Sequence, residues 1–165
     1  MTKEKLKTMP KQRGGETSPL NEMLCFTVYS TAHAFNRAYK PLLDALGLTY
    51  PQYLVMLTLW ERDKVTVKEI GEQLHLDSGT LTPLLKRLEA AGLLRRARDA
   101  ADERQVRISL TPKGEGMREK AQMVCPAVID ACKYSNDQVK TLKAQLVRLR
   151  EALNELSAAT SEPQA

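Results

Sequence analysis

Three groups of residues in this 165-residue sequence have types and spacings that could do chemistry. The first is the cysteines Cys25, Cys125 and Cys132, which contain no CxxC pair and cannot all pair within one chain. A secreted disulfide framework is therefore not expected, and the three should rest as thiols in a reducing compartment. A thiolate attacks peroxide oxygen when neighbours stabilise its charge, and phenol hydroxyls do so by hydrogen bonding. Cys25 lies in LNEMLCFTVYSTAHAFNRAYKPLL, residues 20–43, with Tyr29 one helical turn further on and Tyr39 beyond it. Taken alone, a helical cysteine among apolar residues reads as a small, inert core side chain.

The second group is Ser78, Thr80 and Thr82 at the head of DSGTLTPLLKRLEAAG, with Lys86 and Arg87 about one turn further on. A helix seated in the major groove needs short donors and acceptors at its N-terminal end, against base edges. Each of these residues taken singly would serve equally well as a helix cap. The third group is basic. Within a net charge of +5, residues 1–13 hold Lys3, Lys5, Lys7, Lys11 and Arg13 against Glu4 alone. Residues 86–107 hold Lys86, Arg87, Arg95, Arg96, Arg98, Arg104 and Arg107 against Glu89, Asp99, Asp102 and Glu103. Such clustering suits a polyanion partner. Arg104 follows Asp102 and Glu103, so that a carboxylate could hold its guanidinium extended towards a narrow minor groove. His33 and His75 show no metal-ligand spacing, and neither a metal nor a cofactor is expected. No nucleotide loop, catalytic triad or paired-carboxylate site is recognisable, so an enzyme is not expected.

The elements that must position these residues can be read from period and punctuation. Residues 1–19 read as a flexible basic arm. A helical pattern runs from Leu20 to about Leu46, with Pro41 marking a kink or break. Thr49 and Gln52 form a capping box, with Pro51 in the first turn, before a buried helix; Thr66 and Glu69 form another before a short one. The Asp77/Ser78 cap opens a helix with Leu81, Leu84, Leu85 and Leu88 on one side and Gly92 at its end. The period then turns to alternation: LLRRAR, a charged tip DAADER, and QVRISL with Val106, Ile108 and Leu110 on one face predict a β-hairpin. Thr111-Pro112 restarts a helix, Val139, Leu142, Leu146, Leu149, Leu153 and Leu156 form an apolar stripe, and the chain frays after Ser157.

Helix, turn, second helix and basic wing make a winged helix-turn-helix, here within a mainly α fold carrying a small β-wing. The expected organisation is one domain over 20–157, with the winged helix at 49–111, terminal helices at 20–46 and 112–157, and a frayed tail at 158–165. A composition of 42% hydrophobic and 27% charged residues suits a single core. With no signal-peptide pattern and no bilayer-length apolar run, a cytoplasmic location is expected.

The runs LTYPQYLVMLTLWE, LDSGTLTPLLKRLEAAGLLRR and DERQVRISLTPKG resemble the MarR family of transcriptional regulators, specifically its organic-hydroperoxide-sensing branch, and the likeness spans about residues 20–156. It implies terminal helices intertwined in a homodimer and two winged helices presented to a pseudo-palindromic double-stranded operator. It also implies that Cys25 is the peroxide sensor, hydrogen-bonded by two tyrosines of the partner subunit that match Tyr39 and Tyr50, with Tyr29 as a further member. Members of the branch join the oxidised cysteine either to an external thiol or to a second cysteine of the other subunit. The likeness favours the two-cysteine route through Cys132, with Cys125 as the alternative. The expected function is a repressor released by organic hydroperoxides. The alternatives are a family member gated by a phenolic or drug-like ligand and, from another class, a thiol peroxidase.

Overall fold

A computed structural model describes residues 19–99 and 102–160. The basic cluster at 1–13, tip residues 100 and 101, and tail residues 161–165 lie outside the described residues. Contacts group the chain up to Ala38 into one unit and the chain from Tyr39 onward into a second, larger one.

The expected first helix begins later than its pattern. Leu20–Glu22 close a 3-10 turn, with the Glu22 N–H donating to the Pro19 carbonyl (2.8 Å), and the α-helix proper, α1, is Leu24–Asp44. Pro41 neither ends nor breaks it. Only one backbone bond is lost to the ring, and the last turn closes beyond it.

Two capping boxes set the next elements. The Thr49 N–H donates to Gln52 Oε1 (2.8 Å) and opens α2, Tyr50–Glu61. The Thr66 N–H donates to Glu69 Oε2 (2.7 Å), the Glu69 N–H returns to Thr66 Oγ1 (3.2 Å), and α3 follows over Val67–Leu74. Asp77 caps α4, Ser78–Ala90, by accepting the Thr80 N–H (2.9 Å). Gly92 ends that helix at φ +72°, a left-handed conformation that glycine adopts without steric cost.

The wing is larger than the sequence suggested. β1 (Val65–Thr66), β2 (Leu94–Arg98) and β3 (Val106–Leu110) form an antiparallel sheet in the order β1-β3-β2, with Leu94 opposite Leu110 and Val65 opposite Ile108. Of the expected hairpin face, Ile108 is fully buried, while Val106 and Leu110 are half-buried. The core joins Val55, Met56, Leu59 and Trp60 of α2, Ile70 of α3, and Leu81, Leu85 and Leu88 of α4 to Leu94 and Ile108 of the sheet. Burial of each such side chain contributes about 1.5–3 kcal/mol, which holds α4 rigidly against the wing.

Beyond Thr111 the chain forms α5 (Pro112–Glu115), α6 (Arg118–Gln122), α7 (Val124–Ala131) and the long α8 (Asn136–Thr160). Thr111 caps α5 by accepting the Gly114 N–H (3.0 Å). Helix α8 continues three residues past Ser157, where the sequence was expected to fray; the rest of that tail lies outside the described residues. Its Leu142, Leu146, Leu153 and Leu156 are all exposed, a leucine stripe lying outside the core. Among the described residues, no helix is long and apolar enough to cross a membrane.

Candidate functional site

Two constellations emerge, both in the larger unit. A groove of about 970 Å³ runs between α3, the head of α4 and the wing, lined by Lys68, His75, Ser78, Thr82, Arg96 and Arg104 among others. Ser78, Thr82 and Arg104, separate in sequence, thus share one concave surface. Thr80, Lys86 and Arg87 are exposed on α4 outside that lining. The α4 hydroxyls also work within their own helix: Thr80 Oγ1 donates to Asp77 Oδ2 (2.8 Å) and Thr82 Oγ1 to the Ser78 carbonyl (2.6 Å). Capping and solvent-facing donation coexist, because a hydroxyl that donates inward keeps its lone pairs outward.

The wing departs from one expectation. Asp102 does not extend the Arg104 guanidinium. Its carboxylate accepts the backbone N–H of Arg104 (3.0 Å) and the side-chain amide of Gln105 (3.0 Å), so it organises the turn itself. A separation of two residues in a tight turn brings an aspartate oxygen to a main-chain N–H, the Asx-turn geometry. The carboxylate–guanidinium role falls to pairs that the sequence reading missed. Buried Asp99 receives Arg107 Nε (2.6 Å), while the same guanidinium reaches the Lys64 carbonyl and so ties β3 to the residue before β1. Glu89 of α4 accepts the N–H (3.0 Å) and Nε (2.7 Å) of Arg96, and this pairing holds the Glu89 carboxyl below its usual range. The wing is thereby fastened to α4 at a fixed distance.

The second constellation joins a thiol to phenols. The Tyr39 and Tyr50 rings meet edge to face at 4.9 Å, and Tyr53 stands 6.2 and 6.4 Å from them. Tyr39 is almost wholly buried, and the exposed Cys125 lies beside its hydroxyl. Burial first, then the neighbouring Cys125, pushes the Tyr39 phenol well above its ordinary range; burial and the nearby Cys125 also raise Tyr50. Both phenols therefore stay protonated across the physiological range and remain donors to a sulfur anion. Of the expected residues, Tyr39 and Tyr50 come together; Tyr29 belongs to the smaller unit, where its ring packs edge-on against His33 at 4.4 Å. Cys25 is exposed in the first turn of α1, one turn before Tyr29. Cys132 is exposed at the C-terminal cap of α7, two turns beyond Cys125. Among the described residues, no cluster of histidine, cysteine or carboxylate could hold a metal ion.

A family described as transcriptional regulator SarA/Rot matches residues 37–122. The HTH-type transcriptional regulator TtmR of Methylorubrum extorquens is 51% identical over 88% of this chain and 75% of its own length. The organic hydroperoxide resistance transcriptional regulator of Bacillus subtilis is 48% identical over 82% of this chain and 92% of its own. Among solved structures, reduced AbfR bound to DNA superposes with a TM-score of 0.70 at 37% identity, covering 83% of this chain and 94% of that one. Disulfide-formed AbfR superposes at 0.58 and 39% identity, covering 79% and 91%. The fold expected from the sequence, mainly α with a β-wing, is that of these proteins.

Proposed function

The chain belongs to the MarR-type and SarA/Rot-type winged-helix transcriptional regulators, and on that premise we propose that it is a redox-sensing repressor, bound to operator DNA as a reduced homodimer and released when an organic hydroperoxide oxidises Cys25. The observation that carries this reading is the Tyr39–Tyr50 pair, two phenols edge to face at 4.9 Å beside the exposed Cys125, a set of protonated donors suited to a sulfur anion. The names of relatives support it: one is an organic hydroperoxide resistance regulator, and AbfR is described both reduced on DNA and with a disulfide formed. The leucine stripe of α8 gives a second copy its surface, since Leu146 and Leu153 are about half exposed in a single chain.

The chemistry has two steps. The Cys25 thiolate attacks one peroxide oxygen, the O–O bond breaks, and the alkoxide leaves as alcohol after taking a proton. A second thiol, as thiolate, then attacks the sulfenic sulfur; the S–O bond breaks, hydroxide leaves as water with the proton released, and S–S forms. One peroxide is reduced and two thiols are oxidised. A disulfide requires Cα atoms within about 7 Å, so any wider resting gap is closed by moving helices. Half-sites lie one helical turn apart, about 34 Å, and the displaced reading heads no longer match them.

The second thiol is Cys125 in this reading, in place of the Cys132 that the family resemblance favoured. Tyr39 and Tyr50 serve Cys125 within its own subunit, and the tyrosines that stabilise a partner's Cys25 would then deliver it beside Cys125. One equivalent of cumene hydroperoxide followed by non-reducing mass analysis tests this. Cys132→Ser should cross-link as fully as the unsubstituted protein, whereas Cys125→Ser should yield only sulfenic acid or its adducts; the reverse pattern would return the role to Cys132.

DNA contact is assigned to the groove. Arg104→Ala should weaken operator binding about tenfold and lower the salt slope of log K by roughly one per subunit, since one phosphate or minor-groove contact is lost from each. Dimerisation should not change. Equal affinity across a salt series from 50 to 200 mM, measured by fluorescence anisotropy, would remove the wing contact.

A further inference from the structure

Tyr53, three residues after Tyr50 in α2, is nearly inaccessible. Its hydroxyl nevertheless does something specific. It donates to the Ala121 carbonyl at 3.1 Å, across 68 residues of chain. In an uninterrupted helix that carbonyl would take the backbone N–H of Cys125, four residues on. The phenol hydroxyl occupies it. The next rung is absent for a different reason, because Pro126 has no N–H to offer the Gln122 carbonyl. Two successive rungs are thus altered where α6 gives way to α7, and Cys125 sits at that break.

We propose that Tyr53 is the positioning residue for Cys125: wedged into the break, its hydroxyl fixes the place and direction from which the sulfur meets an oxidised Cys25. This rests on the reading of Cys125 as the second thiol. The Tyr39 and Tyr50 rings stand 6.2 and 6.4 Å from that of Tyr53, so the phenols beside the sulfur and the wedge at the helix break form one packed group. Disulfide closure depends on the approach of one sulfur to another along a narrow line. A wedge that sets the main chain of the attacking residue therefore governs the rate of the second step and leaves the first alone, because peroxide reacts at Cys25.

The test is Tyr53→Phe in the full chain, mixed rapidly with one equivalent of cumene hydroperoxide. Sulfenic acid at Cys25, trapped with dimedone, should form at the unsubstituted rate, while disulfide closure should slow about tenfold or more, the scale of a misplaced reacting group. Sulfenic acid should accumulate as a result, which a general loss of stability well below the melting temperature would not produce. Closure at the unsubstituted rate overturns the proposal. If Cys125→Ser still cross-links, the reading beneath it has failed instead, so the two failures are distinct. Should Tyr53→Phe not fold, hydroxyl-proton exchange in the unsubstituted protein decides: the buried Tyr53 hydroxyl proton, donated to the Ala121 carbonyl, should exchange slowly, and exchange at the rate of an exposed phenol overturns the wedge.

Discussion

With Cys25 replaced by Ser, the protein should stay on its operator through an equivalent of cumene hydroperoxide that strips the unsubstituted dimer from it. A serine hydroxyl fills nearly the same space as the thiol but does not attack peroxide oxygen, so the first step is lost while the structure is kept. Nothing in the groove is touched: Ser78, Thr82, Arg96 and Arg104 line it from α4 and the wing, and the Glu89–Arg96 pair still fastens the two together. Affinity before oxidation should therefore agree within about twofold between the two proteins, since a surface-exposed substitution remote from such features changes stability by only about 0.5 kcal/mol. After oxidation the unsubstituted protein should fall towards non-specific binding, roughly a thousandfold loss. Anisotropy titrations at one fixed salt concentration measure both numbers. If Cys25→Ser leaves the DNA on adding peroxide, the thiol is not the trigger, and a regulator gated by a bound phenolic ligand becomes the better account. Many turnovers of peroxide per subunit with a thiol reductant would instead indicate a peroxidase.

What the sequence disclosed was local, and what it hid was assembled from a distance. Thr49 with Gln52, Thr66 with Glu69, and Thr111 with Pro112 each declare a helix start within four residues, and all three starts occur. Strand β1 is only two residues long, too short for alternation to register, and exists because β3 offers it a partner more than forty residues later. The carboxylate chosen for the wing was one turn too near the tip. Asp102 lies two residues from Arg104 in sequence, but Asp99 faces Arg107 across the hairpin, and that pairing depends on strand register.

The thiol–phenol cluster shows the same limit. Tyr39, Tyr50 and Cys125 come from α1, α2 and α7, so neither spacing nor composition links them. Family likeness could name the tyrosines and favoured Cys132; that Cys125 is the cysteine beside them emerges only when the three elements are placed together. Tyr53 had no signal at all, since a tyrosine three residues after another in a buried helix looks like packing until its hydroxyl is located.

The wing meets α5, the first element on the way to Cys125, at Gly114, and Gly114→Ala should be the most destabilising small change in the chain. A Cβ there would fall far inside contact distance of the Leu93 carbonyl oxygen, 3.0 Å from the Leu93 carbonyl carbon and 3.3 Å from Leu110 Cδ2. None of these can retreat cheaply. The Leu93 carbonyl also accepts the Thr111 N–H (3.1 Å), Thr111 Oγ1 bonds the Gly92 carbonyl (2.6 Å), and Trp60 Nε1 donates to the carbonyl of Gly114 itself (3.0 Å). To admit one methyl group, α5 must move off β2 and strain that whole junction. Overpacking commonly costs 1–3 kcal/mol, and a clash with main chain belongs at or above the top of that range. At about 2–4 °C per kcal/mol for a domain of this size, melting should fall by roughly 6–12 °C. Gly116→Ala is the control, because its Cβ would meet the Pro112 carbonyl at 3.3 Å and the Lys113 carbonyl at 3.7 Å, with nothing nearer, and alanine favours the helix. Both should be melted at one protein concentration, since an associating chain melts higher when concentrated. Since α5 leads through α6 to Cys125, a shifted junction should also weaken operator binding and slow disulfide closure together. If Gly114→Ala melts within 2 °C of the unsubstituted protein, α5 does not approach β2 this closely and the wing is not coupled to the thiol by this route.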